Sequence, residues 1–341
     1  MAPQASNSYR AVARLAFRAL GVLLCVSLLA TAQAPQTQQP QQPQPASQVP
    51  KSPDAQAPDP RAVIKRQVNL VLVDVTVTDT KHMIVGGLKQ SDFELFEDGA
   101  PQEINHFSQD EIPLSIALLV DVSHSMRPII EPVRNALVRA LPTLKAEDRV
   151  AMFSFSAACR MEIPLSNDYP EIARRVLALP SGHGTNVNNA LQFAATYLHE
   201  RSPSGRRVII VLSDLLSDMG NISDRRIEQM LVNFDIGLFA IRPEGTLPSS
   251  YRDHHLTRID ADHMAKTSGG FIMEVGHPKE YEAALESLIK FLKSRYTLGF
   301  YPHAGGTADA VREIKVQLKN TGRQKDLSKA KLHFRERYQL P

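Results

Sequence analysis

Cysteine is nearly absent from this chain, with two in 341 residues. Cys25 falls in a leader-like segment and leaves Cys159 alone, which excludes an internal disulfide framework. Cys159 stands in SFSAACRMEI, a strand-like context that suits a small buried hydrophobe. No His or Asn is placed by a recognisable motif to serve it as a nucleophile. Excess charge is missing too. The formal net charge of +3 equals the contribution of Arg10, Arg14 and Arg18, the only charged residues among the first 32, so the rest of the chain is neutral. No basic stripe interleaved with aromatics occurs, which leaves no case for nucleic-acid binding. The apolar run ALGVLLCVSLLA (19–30) is too short to span a bilayer comfortably. No GxxxxGK[ST] phosphate loop and no HExxH metal helix is found.

What is present begins with a targeting signal. The three arginines, the apolar run and the small residues of ATAQA read as a signal peptide over residues 1–32, cleaved after Ala32. An uncleaved anchor is the alternative, and it would be the chain's only membrane contact. Val22, Leu23 and Leu24 before Cys25 argue against lipidation there. Export is therefore expected, to a periplasmic, extracellular or envelope-associated location. Residues 33–60 are rich in Pro and Gln with almost nothing apolar, and cannot bury a core; they read as a tether.

The folded part, at 43% apolar and 22% charged residues overall, has a globular composition. Residues 61–112 are β-rich: VNLVLVDVTVTD alternates with period two, and FELFEDGAPQEINHF reads as two short strands around an Asp98-Gly99 turn. From about Pro113 strands and helices alternate. SIALLVD, RVAMFSFS, RRVIIVLSD and IGLFAIR read as strands, while YPEIARRVLAL and YEAALESLIKFLKSR read as helices and IEPVRNALVRALPTL and NVNNALQFAATYLHE as amphipathic ones. That alternation predicts an α/β fold over 113–295, a doubly wound and mostly parallel sheet. Residues 296–341 turn β-rich again. Neither flank has enough strands for a sandwich, so the two are expected to pair into one small β-domain around the α/β domain; separate appendages are the simpler alternative.

In such sheets ligands bind outside the carboxyl ends of the strands. Three segments bring polar residues there: Asp121, Ser123 and Ser125 after SIALLV; Thr185 in the glycine-flanked loop SGHGTNV; and Asp214 at the end of VIIVLS. Three hydroxyls and two carboxylates offer a hard divalent cation such as Mg²⁺ an all-oxygen set. Neutral hydroxyls in the first shell, with the carboxylates acting partly through water, leave the ion under-neutralised, and a partner's Asp or Glu could complete its shell. Each residue also has a plainer use, since Asp, Ser and Thr after strands cap helices and form turns.

DVSHSM, the GTN loop and the strand-ending Asp214 together resemble the von Willebrand factor A domain with its metal-ion-dependent adhesion site. The wider pattern, a DFELFEDG hairpin before and SRYTLGFYP after, is similar to a bacterial exported family related to that domain, over residues 67–338. The resemblance implies that Ser123, Ser125 and Thr185 contact the ion while Asp121 and Asp214 act directly or through water. It implies Mg²⁺, Mn²⁺ or Ca²⁺ as cofactor, an acidic protein ligand as partner, and adhesion or protein–protein recognition as function. Two departures stand out: Leu215 replaces the family's usual Gly after the last aspartate, and His124 replaces the Gly between the serines, where its side chain can point outward.

Other functions compete. A phosphatase nucleophile needs Asp-x-Asp, and Ser123 occupies the second position; neither Ser123 nor Ser125 lies in GxSxG. A scaffold role without metal is the remaining rival. His254, His255, Asp260, Asp262 and His263 in RDHHLTRIDADH could suggest zinc, but their spacing fits a solvated loop and helix start better. The sequence says nothing of oligomeric state.

Overall fold

The computed structural model describes residues 70–79, 83–109, 112–202, 205–218, 220–245, 257–303, 310–319 and 329–339. The expected signal peptide and the Pro/Gln tether lie outside them. Strands β1 (Val71–Thr78), β2 (Phe93–Glu97), β3 (Ala100–Gln102) and β4 (His106–Ser108) come first. The α/β region follows: β5 (Leu114–Asp121), α1 (Ile130–Ala140), β6 (Arg149–Phe155), β7 (Cys159–Ser166), α2 (Tyr169–Leu177), α3 (Val187–Arg201), β8 (Arg206–Leu212) and the two-residue β9 (Leu216–Ser217). It continues through α4 (Asp224–Asn233), β10 (Ile236–Pro243), β11 (Thr257–Arg258), α5 (Ala261–Thr267), β12 (Phe271–Val275) and α6 (Tyr281–Lys293). Strands β13 (Tyr296–Phe300), β14 (Val311–Leu318), β15 (Lys331–His333) and β16 (Arg337–Gln339) close the chain.

The central sheet runs β12-β10-β8-β5-β6-β7, parallel throughout except for β7, which turns back on β6 as an antiparallel edge. β5 is buried at every position, as a strand covered on both faces must be. Its side chains alternate between two cores. Ile116, Leu118 and Val120 meet α1 and α6 through Val133, Leu137, Leu285 and Leu288. Ala117 and Leu119 face α3, α4 and α5 through Leu191, Ala194, Ile227 and Met264. Burying each larger side chain is worth about 1.5–3 kcal/mol. The helices start where the sequence provides caps: Asp168, Asn186, Ser223 and Asp260 each accept a backbone N–H in the first turn of α2, α3, α4 and α5.

Chain order makes β5 the switch point. After β5 the chain adds β6 and β7 on one side, then crosses to place β8, β10 and β12 on the other. The carboxyl ends of β5 and β8 therefore frame a crevice.

Two four-stranded sheets, β15-β1-β13-β4 and β16-β14-β2-β3, each draw strands from both sides of the α/β region. β1 pairs antiparallel with β13, and β2 with β14. Val73, Val75, Leu95, Leu298, Phe300 and Tyr338 share their common core. No helix among the described residues is long and apolar enough to cross a membrane.

Candidate metal centre

Asp121 is the last residue of β5 and has no exposed surface. Its Oδ1 accepts the Ser123 N–H at 2.9 Å, a local turn that aims the chain from Asp121 to Ser123 back over the strand end. Its Oδ2 accepts the Ser213 hydroxyl at 2.6 Å. The Ser123 and Ser125 hydroxyl oxygens lie 3.1 Å apart, so the alternate spacing of DVSHSM turns both toward one point.

The second loop is locked onto the first. Gly182 N–H donates to the Val122 carbonyl at 2.7 Å, and Asn186 N–H to the Ser156 carbonyl at 2.9 Å. A Cβ on Gly182 would stand 2.4 Å from the Ser156 hydroxyl, so this approach needs glycine. Thr185 is buried. Its N–H donates to Asp218 Oδ1 at 2.7 Å, and its carbonyl accepts from the Ser217 hydroxyl and the Asp218 N–H, both at 3.1 Å.

The third loop holds Asp214, also buried. Oδ1 accepts Leu216 N–H at 3.1 Å, whereas Oδ2 is buried with no hydrogen-bond partner among the described residues. Leu215, standing where the family has Gly, adopts φ 59°, the left-handed conformation that glycine serves without strain. Its N–H donates to the Ser213 hydroxyl at 2.9 Å, and its side chain is buried in the α3–α5 core. The loop thus keeps a glycine-like backbone, and the burial of a leucine side chain offsets the strain. β9 and β11 pair antiparallel just beyond it and pin the loop from outside.

Burial pushes the Asp121 carboxyl up to about 7, and the neighbouring Asp214 charge adds to the rise. Asp214 is raised as well, by burial first, with the nearby Ser125 hydroxyl and the Leu216 N–H acting against it. Two buried carboxylates that repel each other, one with an unpartnered oxygen, fit a positive ion. Asp121, Ser123, Ser125 and Asp214 form one continuous group, and Thr185 is tied to the Asp214 loop through Ser217 and Asp218. The all-oxygen chemistry suits a hard divalent cation better than a soft one.

Ser213 and Asp218, which position Asp121 and Thr185, were not singled out from the sequence. The Leu-Ser-Asp repeat at 212–214 and 216–218 is the signal that carries them. The other cluster divides differently. His254 and His255 lie outside the described residues; Asp260 caps α5, Asp262 pairs with Arg242 at 3.0 Å, and His263 stands 3.4 Å from Glu228. Among the described residues no group of three or more His, Cys, Asp or Glu could hold a metal ion. The candidate centre has two acids and depends on hydroxyls. Burial, with help from Glu162, pushes the half-buried Cys159 thiol up to about 12, so it carries no nucleophilic thiolate at neutral pH.

Residues 116–217, which contain all five candidate residues, match the profile of the von Willebrand factor type A domain family. The chain carries a von Willebrand factor A domain. Among solved structures it is similar to an aerotolerance-related membrane protein from Bacteroides fragilis, at 17% identity over 52% of this chain and 98% of that one, with a TM-score of 0.42. It is similar to a von Willebrand factor type A protein from Catenulispora acidiphila, at 12% identity over 73% of this chain and 74% of that one, TM-score 0.45. A third is proximal thread matrix protein 1 from the mussel byssus with a zinc-occupied adhesion motif, at 13% identity over 57% of this chain and 49% of that one, TM-score 0.44. No curated protein matches the sequence.

Proposed function

We propose that this chain is an exported recognition module whose A domain holds a divalent cation, Mg²⁺ or its relatives Mn²⁺ and Ca²⁺, between Asp121, Ser123, Ser125, Thr185 and Asp214. The cation would bind an Asp or Glu of a protein ligand. The observation that carries the reading is the buried, unpartnered Asp214 Oδ2 beside a second buried carboxylate. The ion would supply positive charge and an open coordination position; the protein's own groups supply orientation. Asp121 is held by Ser123 N–H and Ser213, and Ser123 and Ser125 are turned toward each other. With neutral hydroxyls in its inner shell and the carboxylates acting partly through water, the ion stays open to an incoming carboxylate. Recognition is favoured over catalysis because both Asp121 oxygens are engaged in holding the loop, by the Ser123 N–H and the Ser213 hydroxyl.

The test is retention of the purified protein on an immobilised peptide bearing a single Asp, with an Asn peptide as control. Retention is expected only on the Asp peptide, in Mn²⁺ or Mg²⁺, and lost with chelator or in Asp121→Asn. Equal retention with and without chelator would refute the proposal.

A further inference from the structure

A cavity of about 360 Å³ lies at the opposite end of the central sheet, between it and the β-domain. Its lining includes Arg206 and Arg207 at the start of β8, Arg295 just before β13 and Arg335 just before β16. Two carboxylates, Asp74 and Asp235, also face it. Exposed Leu72 and Ile112 belong to the same lining, so the cavity is reached from solvent.

Much of each guanidinium is already engaged. Arg206 Nη1 donates to the Leu292 carbonyl in the last turn of α6 at 2.6 Å. Arg207 donates to the Phe234 carbonyl ending α4 at 2.9 Å and to the Ser202 carbonyl ending α3 at 3.2 Å. Cations at helix carboxyl ends are favourable, and this accounts for arginine at these positions. Arg206 Nε and Arg295 Nη1 share Asp74 Oδ2, at 3.3 and 3.4 Å. Arg335 bonds Asp235 and, at 2.6 Å, the Leu72 carbonyl.

The engagement is incomplete. Arg206 Nη2 and the Nε atoms of Arg207, Arg295 and Arg335 are all buried without a hydrogen-bond partner among the described residues. Among the described residues lining it, four guanidiniums face two carboxylates, an excess of positive charge. Burial of Arg206 pulls its pKa down to about 10, although Asp74 and Asp235 oppose the fall. An uncompensated buried cation costs far more than a paired one.

We propose that this cavity is a binding site for a small phosphate-class oxyanion, either free phosphate or a phosphate monoester, clasped by Arg206, Arg207, Arg295 and Arg335. A dianion balances the excess charge, and guanidinium forks suit the tetrahedral oxyanion. The volume exceeds that of bare phosphate and leaves room for a small ester group. The site is separate from the candidate metal centre and does not depend on it. Because its ligands come from β8 and from the segments leading into β13 and β16, a bound anion would also tie the β-domain to the A domain.

The test is thermal unfolding of the full chain in chelator, titrated with inorganic phosphate, with glycerol phosphate, and with sodium chloride at matched ionic strength. Phosphate is expected to raise Tm saturably above the chloride control. A larger shift with glycerol phosphate would identify a monoester as the preferred form, and a smaller one free phosphate. Arg295→Gln should weaken the apparent affinity about tenfold or more, the loss of one charge-assisted contact. Asp235→Asn removes a competing carboxylate on an exposed side chain and should tighten it; Asp121→Asn should leave it unchanged. Equal shifts in phosphate and chloride would overturn the proposal. So would an Arg295→Gln protein that is less stable but responds to phosphate as the wild type does, since the arginines would then serve the fold alone.

Discussion

At the carboxyl ends of β5 and β8 the protein gathers Asp121 and Asp214; at the amino ends of β8 and β10 it gathers Arg206 and Arg207. The helices explain why each sign sits where it does. Helix amino ends, such as that of α3 capped by Asn186, lie at the acidic end, and the carboxyl ends of α3, α4 and α6 meet the arginines. The two ends differ in how far the protein satisfies its own charges. The arginines spend most of their donors on helix carbonyls and two aspartates. Among the described residues the carboxylates accept only from hydroxyls and backbone N–H groups, with the Arg258 charge acting on Asp214 from further off. The basic end supports the fold first; the acidic end leaves two buried carboxylates against each other.

The strongest way to break the basic end is Gly270→Ala. A Cβ there would stand 1.7 Å from the Leu238 carbonyl oxygen, so β12 could not lie against β10. Overpacking against backbone should cost about 3 kcal/mol or more, seen as a collapse of Tm or loss of soluble protein. Wild-type stability in this variant would mean that the Ser268–Gly270 turn is looser than described.

At the acidic end, Leu215→Gly asks which of two opposed effects is larger. Restoring glycine at φ 59° relieves about 1–2 kcal/mol of backbone strain, whereas deleting a fully buried leucine side chain costs about 2–5 kcal/mol. A net loss is expected in urea denaturation with chelator present. A gain would show that strain dominates this loop.

A smaller effect comes from pH. In metal-free protein the Asp121 carboxyl titrates near 7 rather than at its ordinary 3.8, so the folded state holds its proton more tightly than the unfolded state. Stability from this group is full below about pH 4 and is lost as pH rises through 7. Added cation should reverse that loss by replacing the proton. Chelated protein whose stability rises over the same window would contradict the repulsion described between Asp121 and Asp214.

The alternation that starts at SIALLVD was legible because a parallel strand buried on both faces must be apolar throughout, and β5 is. DVSHSM was legible because its polar residues end such a strand. The roles of Ser213 and Asp218 were not, since their hydrogen bonds reach residues 92 and 33 positions away. Leu215 was visible as a departure, but its consequence was not: only the backbone reveals that leucine keeps the glycine conformation. The antiparallel turn of β7 onto β6 was hidden as well, because SFSAACRMEI carries no strong turn signal. Which strands of the two flanks meet was not legible: β1 pairs with β13 more than two hundred positions away, and local periodicity encodes no such register.

The proposed function requires Asp121 and Asp214 to take up a cation. Calorimetric titration of Mn²⁺ into the wild type and into Asp121→Asn tests it most directly. Saturable binding is expected for the wild type and none for Asp121→Asn, with metal-free Asp121→Asn protein at pH 8 at least as stable as the wild type, because a buried repulsive charge has gone. Equal binding by both proteins, or none by the wild type, would contradict it.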